Sequence, residues 1–299
     1  MLSNQQYSQW LMTKEPKEQE LFRQAITKFP ISPKISIIVP TFNTPRKFLV
    51  EMLISVIGQT YSNWELCIAD GGSNKEVVDT LKRYAKTCNR IKVTHLPENL
   101  GITKNTIEAV KLATGDYITF LDHDDTLAKF ALFEVVKAIN DNRPDILYSD
   151  EDKIMDNVRL FPFFKPIWSP DTLRSYNYIC HLSVYKKELF DSIGGIREGF
   201  DGSQDYDLIL RATEKAQNIV HIPKMLYHWR MTKNSTSENP ESKEYAFVSG
   251  KKAIQEHLER VGLRGTVKDG KFKGAYRVVD NLPERLPLVS IIIPSQNNY

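Results

Sequence analysis

The sequence predicts an α/β fold, a mostly parallel sheet with helices on both faces, and three observations support this. Short apolar, β-branched runs alternate with segments of helical apolar spacing from residue 35 to residue 148. The runs are short and continuously apolar, which is typical of strands buried on both faces. Polar clusters follow several of these runs, at the edge where such sheets bind ligands.

The elements follow one another in a regular order. Residues 1–29 are polar with scattered apolar residues and indicate a helical lead-in, which Pro30 and Pro33 end. The first strand covers 35–39, and Thr44-Pro45 marks the start of a helix. The next predicted strands are 66–69, 91–93, 117–121 and 146–148, and the predicted helices between them are 76–86, 103–112 and 128–140.

After residue 150 the alternation becomes less regular. A helix is predicted over 204–215, and short strands near 219–221 and 225–229. A polar loop over 232–240 precedes a long helix over 241–261, and 267–279 has the pattern of a hairpin.

Composition limits the class of protein. The chain has 299 residues and a net charge of +3, which argues against bulk attraction to nucleic acid. Three cysteines, an odd number without metal-binding spacing, favour a reducing compartment. The N-terminus does not resemble a signal peptide, and no apolar run reaches the ~20 residues of a membrane span. We therefore expect a soluble, cytoplasmic protein.

The last residues repeat the first strand. Residues 289–297 match residues 35–43 at a distance of 254 positions, including the serine, proline and asparagine. We expect one complete domain followed by the start of a similar one. The expected boundaries are 1–33 for an N-terminal helical extension, 34–265 for the main domain, 266–287 for a hairpin and linker, and 288–299 for the first strand of a truncated second domain.

An acidic cluster, Asp122-His123-Asp124-Asp125, follows the strand over 117–121. Two carboxylates about 4 Å apart repel by roughly 4 kcal/mol at an effective dielectric constant of 20, so water or a cation must relieve the cluster. On an extended chain Asp122 and Asp124 point the same way and His123 the other. Such oxygen-rich groups suit Mg²⁺ or Mn²⁺ bound to a diphosphate. A solvated acidic turn is the alternative.

Nine motifs in order resemble glycosyltransferase family 2, the inverting nucleotide-sugar enzymes of GT-A fold. The resemblance covers about residues 35–235 and implies a three-layer sandwich with a Rossmann-like sheet. It is greatest to tandem-domain bacterial members that build surface polysaccharides. The motifs lie at 38–43, 70–73 (Asp70-Gly71-Gly72-Ser73), 99–101 (Asn99-Leu100-Gly101), 115–117, 122–125, 148–153, 164–166, 202–207 and 227–230 (Tyr227-His228-Trp229-Arg230).

The resemblance implies a nucleotide site at the strand ends, with Asp122 near the ribose or the metal's water. Asp70 could accept a hydrogen bond from a pyrimidine, or it could belong to an ordinary turn. Lys104 is equally compatible with a solvated surface position, and a packing role is favoured for His123. The nucleotide-binding candidates are Pro40, Thr41, Asn43, Asp70, Asn99, Lys104, Asp122, His123 and Arg230.

The resemblance also implies a general base and a metal site. Asp205 is the expected base, although Gln204 stands where the family has an acid. The alternative for Asp205 and Asp207 is a capping role at a helix start after Ser203. Asp124 and His228 are the expected ligands of Mn²⁺ or Mg²⁺, and His228 could instead pack in an aromatic strand.

The expected function is inverting, metal-dependent transfer of a sugar from a nucleotide-diphosphate donor in bacterial surface polysaccharide synthesis. A UDP-sugar is the first choice of donor and a dTDP-sugar the second, and the loop over 232–240 would close over it. The expected acceptor is a saccharide or a lipid-linked saccharide. We expect no nucleic-acid partner, peripheral association with the inner face of a membrane, and a second glycosyltransferase domain in the full-length chain.

Two alternatives come from other classes of function. Nucleotidyl transfer also uses acidic metal ligands, but it usually requires a glycine- and lysine-rich loop after the first strand, and residues 40–45 contain neither residue type. A non-catalytic sugar- or nucleotide-binding module is the other alternative. The acidic cluster and Asp205 argue against such a module.

Overall fold

A computed structural model describes residues 3–231, 244–282 and 284–296. It confirms the α/β class. Within these residues a nine-stranded sheet has the order β3-β2-β1-β4-β8-β6-β9-β5, with β7 paired to β6, and β10 and β11 form a separate hairpin. The strands are β1 (Ile35–Thr41), β2 (Trp64–Asp70), β3 (Ile91–His95), β4 (Tyr117–Phe120), β5 (Thr126–Leu127), β6 (Ile146–Met155), β7 (Val158–Phe163), β8 (Ser183–Lys186), β9 (Ile219–Arg230), β10 (Gly265–Asp269) and β11 (Tyr276–Asp280).

Helices cover both faces of the sheet. They are α1 (Asn4–Lys14), α2 (Glu18–Ile26), α3 (Arg46–Ile57), α4 (Lys75–Thr87), α5 (Ile102–Val110), α6 (Ala131–Asn142), α7 (Pro170–Ser175), α8 (Lys187–Ser192), α9 (Gln204–Lys215) and α10 (Glu244–Arg260). Along β1, Ile37 and Val39 belong to the core under α3 and α6, and Ile38 to the core under α9 and α10. Side chains of a strand alternate between faces, so this continuously apolar run supplies both cores.

The predicted parallel part is present. β1 pairs in parallel with β2 and β4, and β2 pairs with β3. The strand continues through Pro40, which lies beyond the last residue paired with β4, Ile38. The missing N–H of Pro40 therefore removes no hydrogen bond to β4.

The second half of the sheet is mixed. β8 runs antiparallel to β4 and β6, and β5 is antiparallel to β9, whereas β6 and β9 are parallel. The two short strands predicted near 219–221 and 225–229 are one strand, β9, with irregular register opposite Ser149 to Glu151. Three strands were not predicted: β5 has only two residues, and β7 and β8 belong to no regular βαβ repeat.

The N-terminal helix α1 packs against the sheet, whereas the last described residues are exposed. Tyr7 of α1 is buried and bonds Asp152 of β6, and Trp10 meets the edge of Phe164. The predicted hairpin is confirmed as β10 and β11. Residues 284–296 have no regular secondary structure, and their apolar side chains are exposed. The domain boundaries therefore remain predictions.

Among the described residues, no helix is both long and apolar enough to cross a membrane.

Candidate functional site

The ends of β1 and β4 and the start of α9 border a cavity of about 320 Å³. It contains Asp122 from the acidic cluster and Asp205 from α9, which are far apart in the sequence. Its walls are otherwise mainly apolar. The lining residues are Pro40, Ile102, Thr106, Phe120, Leu121, Asp122, Cys180, His181, Ile196, Gly202, Gln204, Asp205, Leu208, Trp229, Ala246 and Phe247.

Unpaired polar atoms surround this cavity. Among the described residues, the buried side-chain atoms without a hydrogen-bond partner include His181 Nδ1 and Gln204 Oε1, which belong to lining residues. Thr41 Oγ1 and His123 Nδ1, next to lining residues in the chain, are also unpaired. Native proteins pair nearly all buried polar groups, so the unpaired atoms of His181 and Gln204 are available to a ligand in the cavity.

The acidic cluster forms a turn that Asp125 attaches to β9. The buried Asp125 carboxylate accepts from the Tyr227 hydroxyl and from the Arg230 backbone N–H, both at 2.6 Å. Burial next to two other carboxylates raises its pKa well above the ordinary value. Because the Asp125 N–H bonds the Asp122 carbonyl at 3.2 Å, these residues form a turn after the strand and not an extended segment. Asp125 therefore holds the turn in place.

Asp122 and Asp124 remain partly open to solvent, with 38% and 32% of their side chains exposed. Burial, together with the negative charge of Asp122, raises the pKa of Asp124. His123 Nδ1 lies 3.9 Å from Asp124 Oδ1. A bound cation would stabilise these two carboxylates in their ionised form.

Asp205 lies in the first turn of α9 beside the cavity. Its Oδ2 accepts a hydrogen bond of 2.9 Å from Asn177 Nδ2. Burial raises the pKa of this carboxyl, and nearby His181 partly opposes that effect. Ser203 is the N-cap residue, but its hydroxyl donates to the Ala246 carbonyl instead of capping the helix. A half-buried carboxylate with a raised pKa is suited to accepting a proton.

Asp207, two residues later, has a different environment. It is fully buried, and its two oxygens accept from Arg197 and from Arg211. Arg197 also contacts Glu256 of α10. These contacts give Asp207 a structural role. It lies in the first turn of α9, as the capping alternative expects, but its carboxylate pairs with two arginines instead of capping the helix.

The residues expected to bind the nucleobase lie at the ends of β1 and β2. Asp70 is buried; its Oδ1 accepts from the Ser73 N–H and its Oδ2 lies 3.0 Å from His95 Nδ1. Asn43 bonds the loop after β2 by donating its N–H to Ser73 Oγ and accepting from the Asn74 N–H. Asp70 thus orders the turn itself.

Asn99 and the double glycine lie beside this turn. Asn99 Oδ1 accepts from the Gly101 N–H and from Asn105 Nδ2. A Cβ on Gly71 would lie 2.6 Å from Asn105 Nδ2 and 3.2 Å from Asn99 Oδ1, so a larger residue there would displace this pair of side chains.

Two basic candidates differ in accessibility. Lys104 has 51% of its side chain exposed, and its Nζ lies 3.4 Å from a Glu198 carboxylate oxygen. Arg230 has only 4% exposed; it pairs with Glu51 at 2.6 Å, and its Nε donates to the Asp124 carbonyl. Arg230 also covers the ring of Phe48. Its visible contacts fix the acidic turn.

His228 is oriented by a carboxylate. Its Nδ1 lies 2.7 Å from Asp152 Oδ1, while Asp152 Oδ2 accepts from Arg159 and from Tyr7. Burial would raise the pKa of Asp152, but the bond to His228 and the charge of Arg159 lower it. A histidine held in this way through Nδ1 can offer Nε2 to a metal.

The described residues contain no group of three or more His, Cys, Asp or Glu side chains that could hold a metal by themselves. Mg²⁺ bound to a nucleotide commonly takes only one or two carboxylates from the protein and the rest from phosphate and water. The open oxygens of Asp122 and Asp124 fit that pattern.

Of the lining residues, Pro40, Asp122 and Asp205 were predicted, and His181 and Trp229 are among those that were not. The His181 ring stacks on Tyr227 at 4.5 Å, and its Nε2 lies 3.7 Å from Asp122 Oδ2. Trp229 meets the His181 ring edge-on. Trp229 adjoins the candidate His228 in the sequence, so it could have been predicted as a site residue. His181 lies in an irregular segment with no motif and could not. The loop over 232–240, expected to close over a donor, lies outside the described residues.

Comparison with known proteins agrees with this geometry. Residues 36–194 match the family described as Glycosyl transferase family 2. The uncharacterized protein y4gI of Sinorhizobium fredii is 42% identical over 92% of this chain and 31% of its own length. The O-antigen biosynthesis protein RfbC of Myxococcus xanthus is 36% identical over 96% of this chain and 23% of its own length. The chain thus spans less than a third of these relatives.

Solved structures share the fold. TarS of S. aureus in complex with UDP-GlcNAc has a TM-score of 0.63 and 22% identity, over 75% of this chain and 66% of that one. The mannosyltransferase PcManGT of Pyrobaculum calidifontis, in complex with GDP-Man and Mn²⁺, has a TM-score of 0.57 and 18% identity. The match covers 90% of this chain and 71% of that one.

Proposed function

The chain belongs to glycosyl transferase family 2, and from that premise we propose that it transfers a sugar from a nucleotide-diphosphate donor to a saccharide acceptor with inversion. The observation that supports this most directly is the shared cavity of Asp122 and Asp205. One side of it adjoins the strand ends where a nucleotide would bind, and the other presents a carboxylate with a raised pKa.

In the proposed reaction Asp205 takes the proton of the acceptor hydroxyl. The acceptor oxygen forms a bond to the anomeric carbon while the bond from that carbon to the diphosphate oxygen breaks, and the nucleoside diphosphate leaves with both electrons. In-line attack on the opposite face inverts the anomeric centre. General-base catalysis of this kind contributes about 10²–10⁴ in rate.

The donor residues we propose fall into two groups. The pocket for the nucleobase would consist of Pro40, Thr41, Asn43, Asp70 and Asn99. The ordered turns would supply backbone groups, and the unpaired Thr41 hydroxyl would make a direct contact. Asp122, His123 and Lys104 would face the ribose and diphosphate. We propose an indirect role for Arg230, which fixes the acidic turn through Glu51 and the Asp124 carbonyl.

Asp124 would hold a divalent cation, Mn²⁺ or Mg²⁺, with the diphosphate, and His228 would offer Nε2 to it. The cation, when bound, neutralises the charge that develops on the leaving diphosphate. A UDP-sugar is our first choice of donor and a dTDP-sugar the second, because the two glycines of the turn that Asp70 orders leave room for a pyrimidine against the backbone.

We propose a place in bacterial surface polysaccharide synthesis, supported by similarity to RfbC and, at 28% identity over 84% of this chain and 35% of its own length, to the chondroitin synthase of Escherichia coli. The acceptor would be a saccharide, free or lipid-linked. The repeat at 289–297 and the greater length of the relatives support a second, similar domain in the full protein.

The decisive experiment replaces Asp205 by Asn in the full chain and measures UDP release from UDP-sugars with Mn²⁺ and a saccharide acceptor. We expect turnover to fall by about 10²–10⁴ with donor affinity retained. Near-normal turnover in a folded variant would mean that another residue is the general base. Release of pyrophosphate instead of UDP would indicate nucleotidyl transfer, and binding without turnover for any donor a non-catalytic module.

A calorimetric titration tests the metal. Asp124→Ala should abolish the Mn²⁺-dependent part of UDP binding, whereas the wild-type chain should bind UDP more tightly with Mn²⁺ than without. Equal titration curves for the two proteins would remove Asp124 from the site.

A further inference from the structure

One loop contacts both carboxylates of the cavity. Residues 177–181 connect α7 to β8 and carry Asn177, which bonds Asp205, and His181, which lies beside Asp122. Cys180 and His181 form part of the cavity wall. This loop is therefore next to the side chains of both carboxylates.

The orientation of the Asn177 amide is fixed by its two partners. Its Oδ1 accepts from the Cys180 N–H at 3.1 Å, and its Nδ2 donates to Asp205 Oδ2 at 2.9 Å. A flipped amide would direct an oxygen at the carboxylate and an N–H at another N–H, and both bonds would be lost. The amide thus has a single orientation, in which it presents a donor to Asp205.

A buried ion pair holds the rest of the loop. The side chain of Lys165 is completely buried, and its Nζ donates to Glu151 Oε2 at 3.0 Å, to the Ile179 carbonyl at 2.7 Å and to the His181 carbonyl. The same Glu151 oxygen accepts from the His181 N–H at 3.3 Å. A fully buried lysine requires such partners, and here they are the Glu151 carboxylate and the backbone carbonyls on both sides of Cys180.

We propose that Asn177 is a positioning residue for the reaction. It holds one oxygen of Asp205 so that the other remains free for the acceptor hydroxyl, and its N–H favours the ionised carboxylate over the protonated one. Lys165 and Glu151 keep the loop in the position that makes this contact. This inference rests on the proposed role of Asp205 as the base.

Asn177→Ala and Asn177→Asp test the proposal together. We expect Asn177→Ala to lower kcat by about tenfold or more, the usual effect of a hydrogen bond to a charged group, with the donor Kd unchanged. Asn177→Asp keeps the acceptor for the Cys180 N–H but places a second carboxylate against Asp205. We therefore expect it to lose more activity than Asn177→Ala.

The pH dependence of kcat/KM gives a readout that a purely structural role would not move. Loss of the N–H donor should shift the acid limb to higher pH in Asn177→Ala, and the added carboxylate should shift it further in Asn177→Asp. Other ionisable groups facing Asp205 are His181, Asp122, Cys180, Tyr185 and Tyr206, and all of them stay in place in both variants.

Asn140→Ala is the matched control. Asn140 is a half-buried asparagine whose amide donates to the Ile31 and Val136 carbonyls, remote from the cavity lining. It should lose stability but keep the wild-type pH profile. The proposal is overturned if Asn177→Asp is as active as wild type, or if neither Asn177 variant shifts the acid limb. If Asp205→Asn is itself fully active, the proposed base is wrong instead.

Discussion

Two sets of buried or half-buried carboxylates lie within this domain, and they differ in their partners. Glu65, Asp152 and Asp207 contact lysine, histidine or arginine side chains. Asp124 and Asp205 have no side chain of Lys or Arg against their oxygens among the described residues. The first set is inside the domain. In the second set Asp205 lines the cavity, and Asp124 is two residues from Asp122, which also lines it.

The pKa values follow this division. Burial would raise the pKa values of Glu65 and Asp152, but their partners lower them. These partners are Lys92, Thr114 and Ser36 for Glu65, and His228 and Arg159 for Asp152. For Asp124 and Asp205 burial dominates, and their pKa values are raised. Basic partners therefore distinguish Glu65 and Asp152 from Asp124 and Asp205. A raised pKa does not by itself mark a ligand site, because burial also raises the pKa of Asp125, and this carboxylate holds the acidic turn.

The largest expected difference is between two residues of one helix turn. Asp207→Asn removes the buried negative charge between Arg197 and Arg211 and replaces one accepting oxygen by an NH2 donor. We therefore expect a loss of about 3–5 kcal/mol in the free energy of unfolding. Asp205→Asn removes a carboxylate of raised pKa and should leave stability unchanged or higher. Urea unfolding of both variants measures this. Equal losses would mean that the two sets do not differ.

The second prediction concerns acid. Burial would raise the pKa of Glu65, but bonds from Lys92, Thr114 and Ser36 lower it to about 2 from 4.5. A carboxyl with a lowered pKa in the folded state stabilises the protein above its unfolded pKa. That contribution, about 3 kcal/mol, is lost as pH falls from about 4.5 to 2. Glu65→Gln should flatten the stability curve in this range.

Asp79→Asn is the control for Glu65→Gln. Asp79 also has a lowered pKa, because Lys75 bonds it, but the pair is exposed at the helix surface. Solvent screens such pairs, and we expect almost no change in the slope of stability against pH. If Glu65→Gln and Asp79→Asn reduce the slope of stability against pH equally, burial does not explain the contribution of Glu65.

The division between the two sets could be predicted from the sequence only in part. The strand over 35–39 and the helix over 204–215 follow from local periodicity, and the structure has them at Ile35–Thr41 and Gln204–Lys215. The place of Asp122 at the ligand-binding edge followed from strand order, and the role of Asp205 in the same site followed from the family resemblance. Partners such as Lys165 for Glu151 depend on irregular segments and short antiparallel strands, which have no periodic signal.

The third prediction concerns the orientation of His228. If His228 binds the cation through Nε2, loss of the carboxylate at Nδ1 should weaken Mn²⁺ binding to the UDP-bound chain by about 10–100-fold in Asp152→Asn. Tyr7→Phe removes a different contact of Asp152 and keeps the bond to His228. Its Mn²⁺ affinity should be that of wild type. Equal Mn²⁺ affinity of Asp152→Asn and Tyr7→Phe would exclude His228 as a ligand.

The smallest expected effect on stability belongs to Lys104→Ala. Both partners of the Lys104–Glu198 pair are mostly exposed, so the free energy of unfolding should change by less than about 0.5 kcal/mol. If Lys104 contacts the donor diphosphate, the Kd for UDP should nevertheless rise several-fold, and more so at low salt because screening is weaker there. Glu198→Ala, which frees Lys104 from its partner, should not weaken UDP binding. Unchanged UDP binding in Lys104→Ala would assign this lysine to the solvated surface, the alternative that its exposure already allows.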